Sequence, residues 1–249
     1  MLEVSPESGP GNAESPLPTP SHNLFLRIAS AAVLAPLAIV VAWIGDGPFA
    51  AFWSVAAIAI LWEWVTLVTG PRNVPPGRWF WITGGAAYAG GMVLAPILLR
   101  ADASCGLSAM LLLFTIVWST DIFAYFAGRA IGGPKLVPAI SPKKTWSGAI
   151  AGTFSAIIVA VVVANWLGSF DKGTIAVVAL FLSIMAQLGD LFESWIKRQF
   201  GAKDTSHLIP GHGGVMDRLD GFWAAVVAGC LVGLLRGGFD NSARGLLVW

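Results

Sequence analysis

Asp217 and Asp220 stand three residues apart at the entry of an apolar run, and Asp190 and Glu193 repeat that spacing at the exit of another. Residues three apart on a helix share a face, so each pair aims two carboxylates in one direction. Hard divalent cations take oxygen ligands, and Mg2+ in particular is held by one or two carboxylates together with substrate phosphates. Two further acids, Glu63 and Asp121, interrupt apolar runs upstream. The competing reading is that such acids pair with nearby Lys and Arg or cap helix N-termini. Two segments rich in Gly, Pro and cations accompany them: IGGPKLVPAISPKKTWSG, from Ile131 to Gly148, and the stretch from Lys197 to Gly214. Both can wrap backbone amides and side-chain cations around phosphate groups, although neither contains the GxxxxGK[ST] of a P-loop. A basic loop beside a bilayer also serves as an anionic-lipid contact or a topology signal.

The elements that position these groups follow from composition. Of 249 residues 56% are hydrophobic and only 12% charged, about half the charge of an ordinary soluble domain. The apolar residues come in long blocks without alternation or a 3.6-residue stripe, as lipid around a helix demands. Inside lipid every backbone amide must be satisfied within its own segment, so the blocks are read as helices: 24–44, 48–69, 79–99, 106–127, 147–168, 173–193 and 217–236. In the third, Gly84, Gly85, Gly90 and Gly91 predict close helix packing. The expected fold is an all-α polytopic membrane bundle of about seven transmembrane helices, within a range of about six to nine. Residues 1–23 form a polar tail expected to be disordered, 24–105 the N-terminal transmembrane helices, and 106–249 a catalytic transmembrane region with cytoplasmic loops 128–146 and 194–216. Cys105 and Cys230 lack metal or redox spacing and are read as packing residues.

Counting cations sets the orientation. With a cytoplasmic N-terminus, the inner segments hold 11 of the 15 basic residues: Arg27, Arg72, Arg78, Arg129, Lys135, Lys143, Lys144, Lys197, Arg198, Lys203 and Arg218. The outer segments hold four: Arg100, Lys172, Arg236 and Arg244. Helices two, four and six then descend toward the cytoplasm, with Glu63 and Asp121 about six residues, or about 9 Å, short of their ends. Asp190 and Glu193 end helix six on that side, and Asp217 and Asp220 begin helix seven there. Charged groups in lipid are costly, so six acids at one depth mark a functional site.

The segment SWIKRQFGAKDTSHLIPGHGGVMDRLD, Ser194 to Asp220, closely resembles the signature of the phosphatidate cytidylyltransferase (CDP-diglyceride synthase) family. That signature runs Ser-x-apolar-Lys-Arg, four residues, Lys-Asp, a Pro-x-His-Gly-Gly turn, and Asp-Arg-apolar-Asp. WSTDIFAYFAGRAIG (Trp118–Gly132), ISPKKTWSG (Ile140–Gly148) and the Trp-Glu-Trp of residues 62–64 resemble the same family, so the resemblance spans roughly 24 to 236.

It implies a nucleotidyltransferase in which the phosphate of phosphatidic acid attacks the α-phosphorus of CTP and releases pyrophosphate, with no protein nucleophile. It also implies that Asp190, Asp217 and Asp220 hold Mg2+, with room for a second, monovalent cation such as K+, and that Asp121 is a further ligand or orients Arg129. Lys143, Lys144, Lys197, Arg198 and Lys203 are the implied phosphate contacts, with Arg129, Arg218 and Ser194 assisting and His212 shaping its loop. Expected partners are CTP, phosphatidic acid and the bilayer, without nucleic acid; a homodimer stays open. The compact chain suggests a bacterial inner membrane, and the cation count puts the site on its cytoplasmic side. Three rivals remain. A CDP-alcohol phosphotransferase would need an arginine where Ala225 stands and a second acid pair. A CTP-dependent polyprenol-type lipid kinase would move the γ-phosphate instead. A transporter would show two related halves, and no internal repeat is visible.

Overall fold

The computed structural model describes residues 20–70, 77–168, 170–206, 208 and 213–249. In chain order the elements are α1 (Pro20–Ile44), α2 (Asp46–Thr69), α3 (Arg78–Ala101), α4 (Gly106–Ala130), β1 (Lys135–Val137), β2 (Ser141–Thr145), α5 (Trp146–Leu167), α6 (Lys172–Gln199), α7 (Met216–Gly237) and a short α8 (Ser242–Leu247). Six helices, α2 to α7, are long and apolar enough to cross a bilayer, and α1 contributes a shorter apolar stretch, Ala32–Ile44. The chain is therefore an all-α polytopic membrane protein. Of the expected tail, residues 20–23 form the first turn of α1, and the remainder lies outside the described residues.

Helix α5 packs with small side chains inward and large ones outward. On α5 the buried positions are Gly148, Gly152, Ala156, Ala160 and Ala164, at every fourth residue. The outward stripe is Ile150, Phe154, Ile158, Val162 and Trp166, all exposed. Lipid tails are as apolar as these side chains, so little is gained by hiding them. Close backbone approach over small residues holds such helices together instead. Accordingly α5 lies tight against α4, where a Cβ on Gly152 would stand 2.6 Å from the carbonyl of Thr120.

Aromatic rings tie the N-terminal helices to α7. Trp53 of α2 stacks on Phe222 at 4.9 Å, and Phe114 of α4 on the same ring at 5.3 Å. Tyr88 of α3 stacks on Trp223 at 4.1 Å, and the Trp223 indole N–H donates to the Tyr88 carbonyl at 2.8 Å. The glycines of α3 serve these rings unequally. Gly85 lies under the Trp64 indole and Gly91 against Trp223, whereas Gly90 has open space around it.

Two helices run further than their apolar composition predicts, α4 to Ala130 and α6 to Gln199, so the connecting loops shrink to 131–145 and 200–215. In α6 the polar residues stay helical because they face a polar cavity: Glu193 and Lys197 pair one turn apart while Ile196 remains buried. Part of the first loop folds into an antiparallel hairpin, with Lys135 opposite Thr145 and Val137 opposite Ser141. Gly132 and Gly133, at φ 68° and 99°, let the chain turn out of α4 into this hairpin through the left-handed region that other residues avoid. Thr145 then caps α5, its hydroxyl accepting the Gly148 N–H. Cys105 and Cys230 are both buried and free.

Candidate active site

Asp190 and Asp220 face each other because glycines stand beside them. Gly189 of α6 lies against the backbone of Asp220, and Gly221 of α7 against the carbonyl of Ala186. With no side chain between them at these positions, α6 and α7 cross closely. One carboxylate oxygen from each of Asp190, Glu193 and Asp220 then lies within 4.8 Å of the others. Asp190 pairs with Lys144 of β2. Asp220 accepts the Gly221 N–H at 2.8 Å. Glu193, 1% exposed, takes Lys197 Nζ at 2.7 Å on Oε2, while its Oε1 has no hydrogen-bond partner among the described residues.

A buried carboxylate oxygen left unpaired costs about 1–3 kcal/mol, and a cation shared with Asp190 and Asp220 would supply what it lacks. Three hard oxygen donors without sulfur or imidazole suit Mg2+ rather than a soft metal. The residues present therefore fit the ion that the resemblance implies.

Asp217 is engaged differently. Its Oδ1 takes Lys197 Nζ at 2.7 Å. Its Oδ2 accepts the Thr205 N–H at 3.1 Å, the Thr205 hydroxyl at 3.0 Å and the Gly214 N–H at 2.8 Å. The carboxylate thus gathers both ends of the loop that precedes α7, and the Lys197 ammonium sits between it and Glu193.

These groups form the floor and wall of a cavity of about 740 Å3, within the usual range for a small-molecule site. Asp121 of α4 stands on the same wall, and the cations face them: Arg129 from α4, Lys135, Lys143 and Lys144 from the hairpin, and Arg218 from α7. Arg129 donates to the Tyr125 hydroxyl at 3.4 Å. Cations thus surround an acidic floor, a charge distribution suited to phosphate-bearing molecules.

Some residues expected at the site lie elsewhere. Arg198 donates to the carbonyls of Ala202 at 3.1 Å and Ile140 at 3.5 Å, bridging the two loops outside the cavity wall. Lys203 is exposed and Ser194 half-buried, and neither lines the cavity. His212 lies outside the described residues. Conversely, Lys135, Tyr125, Gln187 and Asp204 line the cavity without having been assigned a role there, and Glu193, paired with Asp190 by spacing but absent from the implied ligand set, lines it too. Helical phase could have found two of them: Gln187 is three residues before Asp190, and Tyr125 is four from both Asp121 and Arg129.

Glu63 lies at the same end of the bundle but behind the wall. It is fully buried, and its carboxylate accepts the N–H groups of Val215 and Met216 at 2.8 and 2.7 Å. Of the six membrane acids, it is the one that does not line the cavity.

Comparison with known proteins identifies relatives of this arrangement. The model of the cytidylyltransferase family matches residues 79–234, which include every described acid and cation of the cavity wall. A phosphatidate cytidylyltransferase of Brucella abortus biovar 1 (strain 9-941) is 39% identical over 255 aligned residues, covering 86% of this chain and 94% of its own length. Proteins of the same name from Rickettsia bellii (strain RML369-C) and Rickettsia felis (strain ATCC VR-1525 / URRWXCal2) are 38% and 35% identical. Each of these alignments covers 80% of this chain, with 85% and 87% of the relatives' own lengths.

Proposed function

The chain belongs to the cytidylyltransferase family, and from that premise we propose that it is a phosphatidate cytidylyltransferase, converting CTP and phosphatidate to CDP-diacylglycerol and pyrophosphate. The observation that carries the reading is the oxygen cluster of Asp190, Glu193 and Asp220 at the floor of a cavity walled by cations.

The chemistry asks little covalently of the protein. An oxygen of the lipid phosphate attacks the α-phosphorus of CTP, the bond from that phosphorus to the α–β bridging oxygen breaks, and pyrophosphate leaves with the electron pair. Two polyanions must be brought together and the charge growing on the leaving group offset, so binding and electrostatics supply the acceleration. Arg129, Lys135, Lys143, Lys144 and Arg218 hold the phosphates against their mutual repulsion. Lys144 moves between two duties, since its partner Asp190 also belongs to the acid cluster. Asp190, Glu193 and Asp220 would hold Mg2+, which would supply countercharge to the phosphate oxygens and the leaving pyrophosphate, and the same acidic floor would take a monovalent cation such as K+. Asp217 keeps the loop before α7 folded and the Lys197 ammonium in place.

The cavity is assigned to the cytoplasmic face of a bacterial inner membrane. The 11 to four distribution of basic residues supports that side, and cytosolic CTP needs it. The lipid would enter sideways, its phosphate near the interface and its tails in the bilayer.

A labelling assay tests the function. Purified protein with Mg2+, CTP and phosphatidate should place label from the α-phosphate of CTP in the lipid, and release γ-label as pyrophosphate. Transfer of γ-label to lipid would identify a kinase, and no nucleotide-linked lipid at all would favour a transporter. Either result overturns the proposal.

A further inference from the structure

Glu63 belongs to α2, outside the segment that the family model covers, and it touches none of the cavity. Its carboxylate is nevertheless fully buried and fully used. Oε1 accepts the Ser206 hydroxyl at 2.6 Å and the Val215 N–H at 2.8 Å, and Oε2 accepts the Met216 N–H at 2.7 Å; the Thr205 hydroxyl, which donates to Asp217, stands 3.4 Å from Oε2.

The start of α7 explains why a carboxylate is needed there. The first turn of a helix carries unpaired N–H groups and a partial positive charge, ordinarily met by a Ser, Thr, Asp or Asn at the N-cap. The N-cap of α7 is Val215, which forms no side-chain cap hydrogen bond. Glu63 supplies the cap in trans, from a residue 153 positions away in sequence. Gly214 makes the approach possible, since a Cβ there would stand 2.7 Å from Glu63 Oε1.

That first turn is also where the chemistry begins. It carries Asp217, with Asp220 just beyond it, and Thr205 and Gly214, which stand beside Glu63 on one side, donate to Asp217 on the other. We propose that Glu63 is a positioning residue for the reaction inferred above: by capping α7 and tying Ser206 to Val215, it fixes where Asp217 and Asp220 point. It acts through those residues and contacts neither substrate nor ion. This assignment rests on the functional reading for its kinetic consequences, but its geometric claim stands apart from that reading.

The full-length chain in detergent, as wild type and as Glu63→Gln, gives the test. Glutamine preserves shape but turns an NH2 toward a group that is itself a donor. Three quantities are measured: thermal unfolding, Mn2+ affinity by electron paramagnetic resonance, and kcat and KM for CTP and phosphatidate. Glu63→Gln is expected to stay folded, to weaken Mn2+ binding by about tenfold and to lower kcat by about tenfold or more, with KM for phosphatidate within about twofold of wild type. Glu63→Asp, which keeps the charge one methylene short, should recover part of both losses. A folded Glu63→Gln with wild-type Mn2+ affinity and kcat overturns the proposal. Should Glu63→Gln fail to fold, Ser206→Ala removes one donor to the same carboxylate, and must shift Mn2+ affinity and kcat in the same direction by a smaller factor; no shift also overturns it. A wild type that binds Mn2+ yet makes no CDP-diacylglycerol would refute the functional reading, while the Mn2+ comparison still decides the role of Glu63.

Discussion

Gly189 on α6 lies against the backbone carbonyl of Asp220 on α7: a Cβ at position 189 would stand 2.6 Å from that oxygen and equally close to the Cβ of Ala224. Both neighbours belong to a rigid helix, so neither can swing aside. An added methyl must push the helices apart where Asp190 and Asp220 meet. Gly189→Ala should therefore lower kcat by about tenfold to a hundredfold, the usual consequence of displacing a catalytic group by about 1 Å, while insertion into the membrane persists. Gly221→Ala makes a softer contact, 3.1 Å from the Ala186 carbonyl, and should cost less. Activity measured on both variants checks the ranking; a harmless Gly189→Ala would contradict the close crossing.

Lys144 and Arg198 resemble each other as cations in basic segments, yet the fold gives them different work. Lys144 pairs with Asp190 inside the cavity, and Arg198 ties Ile140 to Ala202 outside it. Lys144→Gln should lower kcat/KM for CTP by about tenfold or more, as expected when a charge-assisted phosphate contact is lost. Arg198→Gln should act mainly on the unfolding temperature, leaving KM for CTP within about twofold. Steady-state kinetics beside thermal unfolding separate the two, and a larger KM effect at Arg198 would place that guanidinium on substrate.

Much of this architecture could be read in advance, because lipid leaves few choices. Long apolar blocks can only be helices, and alternating directions bring Glu63, Asp121, Asp190, Glu193, Asp217 and Asp220 to one end of the bundle. Rotation about each helix axis was not legible, since it depends on the partner helix and not on the residue's own segment. Glu63 turns toward the N-terminus of α7 and away from the cavity, and Arg198 turns outward beside Lys197, which turns in. Asp217 pairs with a lysine and Glu63 caps a helix, as the competing reading expects; Asp190 and Glu193 pair with lysines too, yet stand with Asp220 in the cluster proposed for the ion. The β1–β2 hairpin gave no warning either, because Ser-Pro-Lys-Lys-Thr lacks the alternation that marks a half-buried strand.

At the opposite end of the bundle, Asp102 joins the α3–α4 turn to α8. It is 2% exposed and accepts the Ser104 hydroxyl and amide, the Cys105 amide and, on Oδ2, the Arg244 amide at 2.7 Å. Burial alone would raise this carboxyl, but those hydrogen bonds outweigh it and hold it below the ordinary aspartate value. A depressed folded value contributes stability that is present above the unfolded value of about 3.9 and lost as pH falls through the folded one. The unfolding temperature of wild type should thus exceed that of Asp102→Asn at neutral pH, with the gap closing below about pH 4. A gap that widens on acidification would show the opposite linkage.

The last prediction concerns which acids hold the ion. Glu193 offers a buried oxygen without a hydrogen-bond partner among the described residues, and it lies with Asp190 and Asp220. Asp217 has both oxygens taken, by Lys197 on one side and by Thr205 and Gly214 on the other. Glu193→Gln and Asp220→Asn keep shape and remove charge, so each should weaken Mn2+ binding by about tenfold or more and raise the Mg2+ needed for half-maximal activity in parallel. Asp217→Asn should lose less Mn2+ affinity than either and more thermal stability, because it frees the segment before α7 and leaves Lys197 with one partner. Removing divalent ions from wild type with a chelator should abolish product formation, and Mg2+ should restore it, since phosphate repulsion and leaving-group charge would otherwise lack their main countercharge. Mn2+ affinity lost in Asp217→Asn but intact in Glu193→Gln would move the ion from the Asp190–Glu193–Asp220 cluster to the first turn of α7, and Lys197 would then have to release Asp217 for the ion to bind.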